Sequence, residues 1–248
     1  MSLPEVVSRD EWLAARKELL VREKASTRER DALNADRRRL PMVRTEKDYV
    51  FDGPAGKVRL MDLFDGTRQL VIQHFMFDPS WEKGCPSCTA SVEEISDGLL
   101  SHLRARQTAF ALVSRAPLDK LEAYKAAKGW TYPWYSSYES DFNYDFHVTL
   151  DESVAPIEFN YRGPDELAQA DQGWILETSN QPMEQPGVSF FLRDGDAIFH
   201  TYSTYARGTE QLGGAYSVLD LTALGRQEEW EEPKGRVTDT HGADPSFT

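Results

Sequence analysis

The chain has 248 residues, 40% hydrophobic and 28% charged, with 28 Lys and Arg against 41 Asp and Glu for a formal net charge of −13. That composition can build a large core and excludes a wholly disordered chain, while the acidic balance opposes nonspecific attraction to nucleic acid or an anionic membrane. No stretch approaches the roughly 18 consecutive apolar residues of a membrane helix, and residues 1–8 have neither a basic start nor an apolar signal core, so a cytoplasmic protein with no nucleic-acid or membrane partner is expected.

Residues 8–39 read as helix, because Ser8 and Glu11 have capping-box spacing and Pro41 ends the run. A second such pair, Ser26 with Glu29, suggests a break near the middle. Trp12 and Leu19 share a face, as do Leu13 and Leu20, but charged residues dominate the rest of the run. So narrow a stripe reads as an arm, residues 1–44, resting on the main domain or reaching a second copy in a homodimer. Residues 49–51, the turn 52–56 and residues 58–60 then predict a β-hairpin. Residues 70–77, LVIQHFMF, predict a strand buried on both faces that ends at Asp78-Pro79.

Val92, Ile95, Leu99 and Leu103 recur at three- and four-residue steps, predicting one amphipathic helix with a weak point at Gly98. Residues 108–113 are the next buried strand, and Pro117 opens a helix that stops at Gly129. Strand, helix, strand, helix implies parallel strands joined by right-handed crossovers. Residues 130–148 are rich in aromatics and have no clean period. Trp130, Tyr132, Trp134, Tyr135 and Tyr138 read there as the packing of a long loop, or alternatively as an apolar pocket beside the cysteines. Residues 188–192 and 197–202, joined by the turn 193–196, are the clearest hairpin and add antiparallel strands to the sheet. A helical pattern runs through Leu212, Tyr216 and Leu219, and residues 226–248 read as an acidic, flexible tail. The fold class is α/β with a mixed sheet, its main domain spanning residues 45–225.

The only two cysteines, Cys85 and Cys88, lie just after a predicted strand and at the start of a predicted helix. A helix N-terminus offers free N–H groups and partial positive charge, which lower a thiol pKa from ~8.5 toward a range of about 3.5–7.5. Cys85 would then be the attacking thiolate and Cys88 the resolving thiol. Pro86 suits the first helical turn, and Trp81 can shield the pair while offering an apolar landing surface. Zinc would need further ligands from His74, His102, His147, His200 or His241, none of which forms an H-x₃₋₅-H pair. No metal, and no cofactor beyond the dithiol, is therefore expected. The bland alternative, two small buried residues near a helix start, ranks between redox chemistry and zinc.

The order hairpin, strand, W-x₃-C-x-x-C, helix, strand, helix, hairpin resembles a thioredoxin-like fold of the peroxiredoxin-like branch. GCPSC together with HTYSTYARG at 200–208 and YSVLDLTALGRQE at 216–228 is similar to a bacterial thioredoxin-like family known as domain of unknown function eight-nine-nine. The resemblance runs from the N-terminal helix to about Glu228. It implies a three-layer fold with a central mixed sheet, and a thiol-disulfide oxidoreductase acting on disulfide-containing proteins or small-molecule thiols and disulfides. Thioredoxins place a cis-proline before the strand that faces the cysteines. The nearest match is Pro186, one residue out of place, with Gly187 at that position, so both join Trp81 and Pro86 as candidate substrate-binding residues. Where peroxiredoxins carry a peroxide-positioning hydroxyl this chain has Glu82, with Ser80 the nearest hydroxyl, which ranks peroxidase chemistry lower. Asp78 is the candidate proton acceptor for the second thiol, or a turn cap. In HTYSTYARG, strand alternation would put His200 and Tyr202 on one face, for a structural role or for binding an anion through Arg207. A noncatalytic binding module is the rival from another class.

Overall fold

A computed structural model describes residues 3–214 and, beyond them, 228–230, 232, 234–235, 238 and 240. The chain divides into two units, Met1–Met42 with Tyr216–Ala243 and Val43–Ala215 with Asp244–Thr248. In the first, α1 (Arg9–Arg37) begins at the Ser8 cap: the Glu11 amide donates to Ser8 Oγ at 3.3 Å and the Ser8 amide to Glu11 Oε2 at 2.9 Å. The break suggested by Ser26 and Glu29 does not occur. No Gly or Pro interrupts the run, and the Thr27 hydroxyl donates within it to the Glu23 carbonyl at 3.0 Å. No residue of α1 is buried, and Trp12, Leu13, Leu19 and Leu20 are all exposed.

The second unit is built on an eight-stranded mixed sheet. Its strands are β1 (Val43–Arg44), β2 (Val50–Gly53), β3 (Gly56–Arg59), β4 (Gln69–His74), β5 (Thr108–Ser114), β6 (Trp134–Ser136), β9 (Gly187–Asp194) and β10 (Ala197–Tyr205). A separate pair joins β7 (Thr149–Leu150) to β8 (Met183–Glu184). The order across the large sheet is β1-β10-β9-β4-β5-β6-β2-β3. Strands β4, β5 and β6 are parallel, and β9 is antiparallel to both β4 and β10. A parallel βαβ unit beside an antiparallel hairpin, in the order β5-β4-β9-β10, is the thioredoxin-like arrangement.

Alternation along the central strands sorts the core into two faces. Leu70 and Ile72 of β4, with Ala111 and Val113 of β5, pack with Phe142 and Phe146. On the other face Leu112 joins Phe75, Phe77, Val92, Leu121, Trp134 and both cysteines. The strand expected to reach residue 77 leaves the ladder after His74, held at its exit by the Phe75 amide donating to the Val113 carbonyl at 2.9 Å, yet Phe75 and Phe77 remain buried.

The single helix expected through Val92 and Leu103 is two, α2 (Pro86–Glu93) and α3 (Asp97–Arg104). Ser96 divides them by accepting the Leu99 amide at 3.1 Å as the N-cap of α3, and Gly98 falls inside the first turn. Pro117 is the residue before α4 (Leu118–Lys128) rather than its first residue, and Gly129 ends that helix in the left-handed region at φ 68. The aromatic segment resolves into β6 and the short α5 (Phe142–Asp145). Residues 151–182, which carried no sequence signal, hold α6 (Pro164–Gln169) over a satellite core of Leu150, Ile157, Phe159, Leu167 and Ile175. The pattern through Tyr216 and Leu219 and most of the expected tail lie outside the described residues.

Candidate active site

The cysteines are placed by the end of β4 and the start of α2. After Phe77 the chain turns at Asp78, whose Oδ1 accepts the Ser80 amide at 2.8 Å and the Ser80 hydroxyl at 2.6 Å. Lys120 of α4 straps the loop from outside, donating to the Pro79 carbonyl at 2.5 Å and the Trp81 carbonyl at 3.0 Å. Gly84 then passes against Phe75 so closely that a Cβ there would lie 2.5 Å from the ring. The Cys85 amide donates back to the Met76 carbonyl at 3.0 Å, and the Met76 amide donates to Cys88 Sγ at 3.5 Å. Met76 thus holds both cysteines through its backbone.

Cys85 is the N-cap of α2 and Pro86 its first residue, so the N–H that proline lacks is one the helix would leave unpaired. Both cysteines are buried free thiols, 3.7 Å apart. Their acidities are displaced in opposite directions. The Cys88 side chain donates to Cys85 and, with the backbone amides of Cys88 and Ser87 and the Ser87 hydroxyl, brings the Cys85 thiol down to about 6 against the cost of burial. Cys88 is pushed well above the usual thiol range, first by that same hydrogen bond, then by burial and by the negative charge of Cys85, with Glu184 adding to it.

Glu184 is the carboxylate that sequence reasoning missed. It lies in β8, a two-residue strand between two prolines, with its side chain 1% exposed. Arg115, just past the end of β5, donates to Glu184 Oε1 at 2.6 Å and also pairs with Asp78. The Thr149 hydroxyl lies 3.1 Å from each Glu184 oxygen. Burial raises the Glu184 pKa while Arg115 and Thr149 oppose the rise. Asp78, the carboxylate singled out from sequence, caps the turn through Ser80 and is the second partner of Arg115. No local pattern marks Glu184, because strand pairing brings it to the site from about a hundred residues away.

The other expected site residues differ in exposure and in the company they keep. Trp81 is 37% exposed in the loop before Cys85, and Pro86 is exposed. Pro186 is half-buried and precedes β9, while the cis peptide bond among the described residues is Gln181–Pro182. Gly187 opens β9, paired in register with His74, and a Cβ on it would meet the Tyr205 ring at 2.7 Å. Glu82 is exposed, and Ser80 is committed to Asp78. Trp130, Tyr132 and Trp134 pack in the same cluster as the cysteines, Tyr135 packs on the opposite face, and Tyr138 is exposed.

HTYSTYARG departs from simple alternation. A bulge falls between His200 and Tyr202, so His200 pairs with Phe191 and Tyr202 with Phe190, on opposite faces of the sheet. The Thr201 hydroxyl donates to the Phe190 carbonyl at 3.0 Å, and Arg207 pairs with Glu210. Among the described residues no group of three or more His, Cys, Asp or Glu could hold a metal ion, and no helix is long and apolar enough to cross a membrane.

The family described as "Bacterial protein of unknown function (DUF899)" matches residues 1–242. No curated protein matches the sequence. Among solved structures, the chain is similar to a cysteine-to-serine mutant of Xylella fastidiosa PrxQ, with 12% identity over 70% of this chain and 91% of that one and a TM-score of 0.42. It is also similar to a cysteine-to-serine mutant of Xanthomonas campestris peroxiredoxin Q, with 14% identity over 66% and 86% and a TM-score of 0.41. A Chlorobium tepidum chain described as the thiol:disulfide interchange protein DsbE shares 12% identity over 70% and 93%, with a TM-score of 0.40.

Proposed function

This chain belongs to the DUF899 family of bacterial proteins, and we propose that it is a thiol-disulfide oxidoreductase whose reactive pair is Cys85 and Cys88. The observation that carries the reading is the pair itself: two free thiols 3.7 Å apart at the start of α2, one acidified to about 6 and the other pushed far up. A thiolate at neutral pH beside a thiol kept protonated is the starting state for reducing a disulfide in two steps.

In the first step the Cys85 thiolate attacks one sulfur of a substrate disulfide. A Cys85–substrate bond forms, the substrate S–S bond breaks, and the other substrate sulfur leaves as thiolate. In the second, Cys88 gives its proton to the Glu184 carboxylate and attacks the Cys85 sulfur. The Cys85–Cys88 disulfide forms, the remaining substrate thiolate leaves, and the substrate has gained two electrons. Burial raises the Glu184 pKa against the opposing pull of Arg115 and Thr149, and a carboxylate of raised proton affinity suits the acceptor of that proton. Trp81 offers an apolar landing surface beside the pair, and Pro86 flanks Cys85. Pro186, with Gly187 beside it where β9 enters between β4 and β10, is the proposed backbone contact for an extended substrate.

Peroxide reduction ranks lower, because the residue three before Cys85 is the exposed Glu82 and the Ser80 hydroxyl is bonded to Asp78. The test is equilibration in a glutathione redox series, with mass spectrometry of the alkylated protein as the readout. Reversible interconversion of the Cys85–Cys88 dithiol and disulfide supports an enzyme. Cysteines that stay reduced across the series would leave a noncatalytic module.

A further inference from the structure

We infer that Thr149 is the positioning residue of Glu184, its hydroxyl donating to the ionised carboxylate and, once Glu184 has taken a proton, accepting that hydrogen from the same place. The inference deepens the proposed oxidoreductase and rests on it for the source of the proton. Ser137, Asn143, Thr149 and Glu184 form a line of polar side chains through the interior, none more than 6% exposed. The Ser137 hydroxyl lies 2.7 Å from Asn143 Oδ1, Asn143 Nδ2 lies 3.3 Å from Thr149 Oγ1, and Thr149 Oγ1 lies 3.1 Å from each Glu184 oxygen. Pairing of β7 with β8 sets Thr149 directly opposite Glu184.

Counting hydrogens from the far end fixes the direction. The Ser114 carbonyl already accepts the Ser137 amide at 2.8 Å and lies 3.1 Å from the Ser137 hydroxyl, so that hydroxyl donates to the nearer Asn143 Oδ1. The Asn143 amide then gives an N–H to Thr149, and the Thr149 hydrogen is left for Glu184. The opposite orientation of the Asn143 amide would draw that hydrogen away and set bare lone pairs against the ionised carboxylate. Arg115 Nε donates to Glu184 Oε1 at 2.6 Å, which leaves Oε2 as the oxygen to be protonated.

The neutral acid has a hydrogen of its own to place. Arg115 can only donate. Asp78 accepts from Ser80 through Oδ1 and pairs with Arg115 through Oδ2. Cys88 faces Glu184 from α2 and supplies the proton, and Tyr144 of α5 lies beside Arg115. Thr149 Oγ1 has two lone pairs, one engaged by Asn143, so the second receives the Glu184 hydrogen. The Thr149 hydrogen then turns to Oε1, closing a ring in which acid and hydroxyl each donate to the other. Equal distances to the two oxygens suit this ring as well as they suit shared donation to the ionised form. Neither Glu184 nor Thr149 is left with an unpaired hydrogen in either state. A donor is worth more to the charged form than to the neutral one, so Thr149 opposes the rise in proton affinity that burial causes.

The carboxyl carbon of Glu184 can be followed by ¹³C spectra of glutamate-labelled protein in a Cys85→Ser, Cys88→Ser background, where no thiol titrates alongside, with Glu184→Gln identifying the signal. Thr149→Val, which keeps the shape and removes the hydroxyl, should raise the Glu184 midpoint by about one pH unit, and Thr149→Ser should hold it near its original value. An unmoved midpoint in Thr149→Val, or the same rise in Thr149→Ser, would overturn the inference. Should Thr149→Val not fold because the Asn143 amide is stranded, Thr149→Val with Asn143→Leu removes that amide too, the Ser137 hydroxyl turns to the Ser114 carbonyl, and the same rise is expected. In the native cysteine background, release of the mixed disulfide from Thr149→Val should require a pH higher by the same amount. Cysteines that stay reduced across the glutathione series would defeat the oxidoreductase reading alone, because the Glu184 midpoints decide the role of Thr149 without turnover.

Discussion

At Cys85 four hydrogen bonds from Cys88 and Ser87 outweigh burial, and the bond from the Cys88 side chain leads them. Alkylation of Cys85 should therefore follow a titration with a midpoint near 6, reaching a plateau by neutral pH where Cys88 reacts at least about tenfold more slowly. Cys88→Ala, which removes the leading donor, should move that midpoint upward. Brief alkylation across a pH series, read by mass spectrometry, checks both, and preferential labelling of Cys88 would reverse the roles. Glu184→Gln keeps the shape of the buried side chain and removes its proton affinity. It should slow release of the mixed disulfide by about 10²-fold while leaving Cys85 alkylation nearly unchanged, as single-turnover rates would show. The placement of both cysteines at a helix start is legible because the spacing C-x-x-C after a strand is a local signal. Sequence points to Asp78 and not to Glu184 because it shows only nearness along the chain, whereas the pairing of β7 with β8 sets Glu184 opposite Thr149 in space.

The loop that presents Cys85 depends on one missing side chain. At Gly84 a methyl group would lie 2.5 Å from Phe75, which is wedged against Trp134 and Trp130 and cannot easily yield. Gly84→Ala is expected to cost about 1–3 kcal/mol by overpacking and to disturb the contact from the Cys85 amide to Met76. Urea unfolding together with the Cys85 alkylation midpoint reads both effects, and an unchanged midpoint would free the loop from this role. Elements with a clean period, such as β4, β5 and the β9–β10 hairpin, could be read from sequence because burial imposes that period directly. The division of α2 from α3 was written in Ser96, but the apolar spacing runs straight across it and hid the cap. The bulge at Thr201 left no mark, since it depends on how β10 meets β9.

For the whole molecule, the interior carries its own pH dependence. His74 is 2% exposed and its pKa is pushed down to about 3 by burial and by His200. Between about 3 and 6.5 the unfolded chain binds this proton and the folded chain does not, so stability rises with pH across that window and is lost as pH falls through it. A depression from 6.5 to about 3 corresponds to roughly 5 kcal/mol at ~1.4 kcal/mol per pH unit. Urea midpoints from neutral pH downward should show this slope, and His74→Leu, whatever its stability at neutral pH, should lack it. Equal slopes in the two proteins would place the acid sensitivity elsewhere. The sheet could be anticipated from the alternation of strand and helix, but the small core over residues 151–182 could not. Its residues Ile157, Phe159, Leu167 and Ile175 share no period and meet only after the chain has folded back on itself.

The opposed acidities of the two thiols also set how many protons accompany the electrons. Below a Cys85 pKa of about 6, reducing the disulfide takes up two electrons and two protons, and the midpoint potential should fall by about 59 mV per pH unit. Above it Cys85 is left as thiolate, one proton accompanies two electrons, and the slope should halve to about 30 mV per pH unit. An electrochemical titration across that bend would read the hydrogen bond between two sulfur atoms as a change in Nernstian stoichiometry.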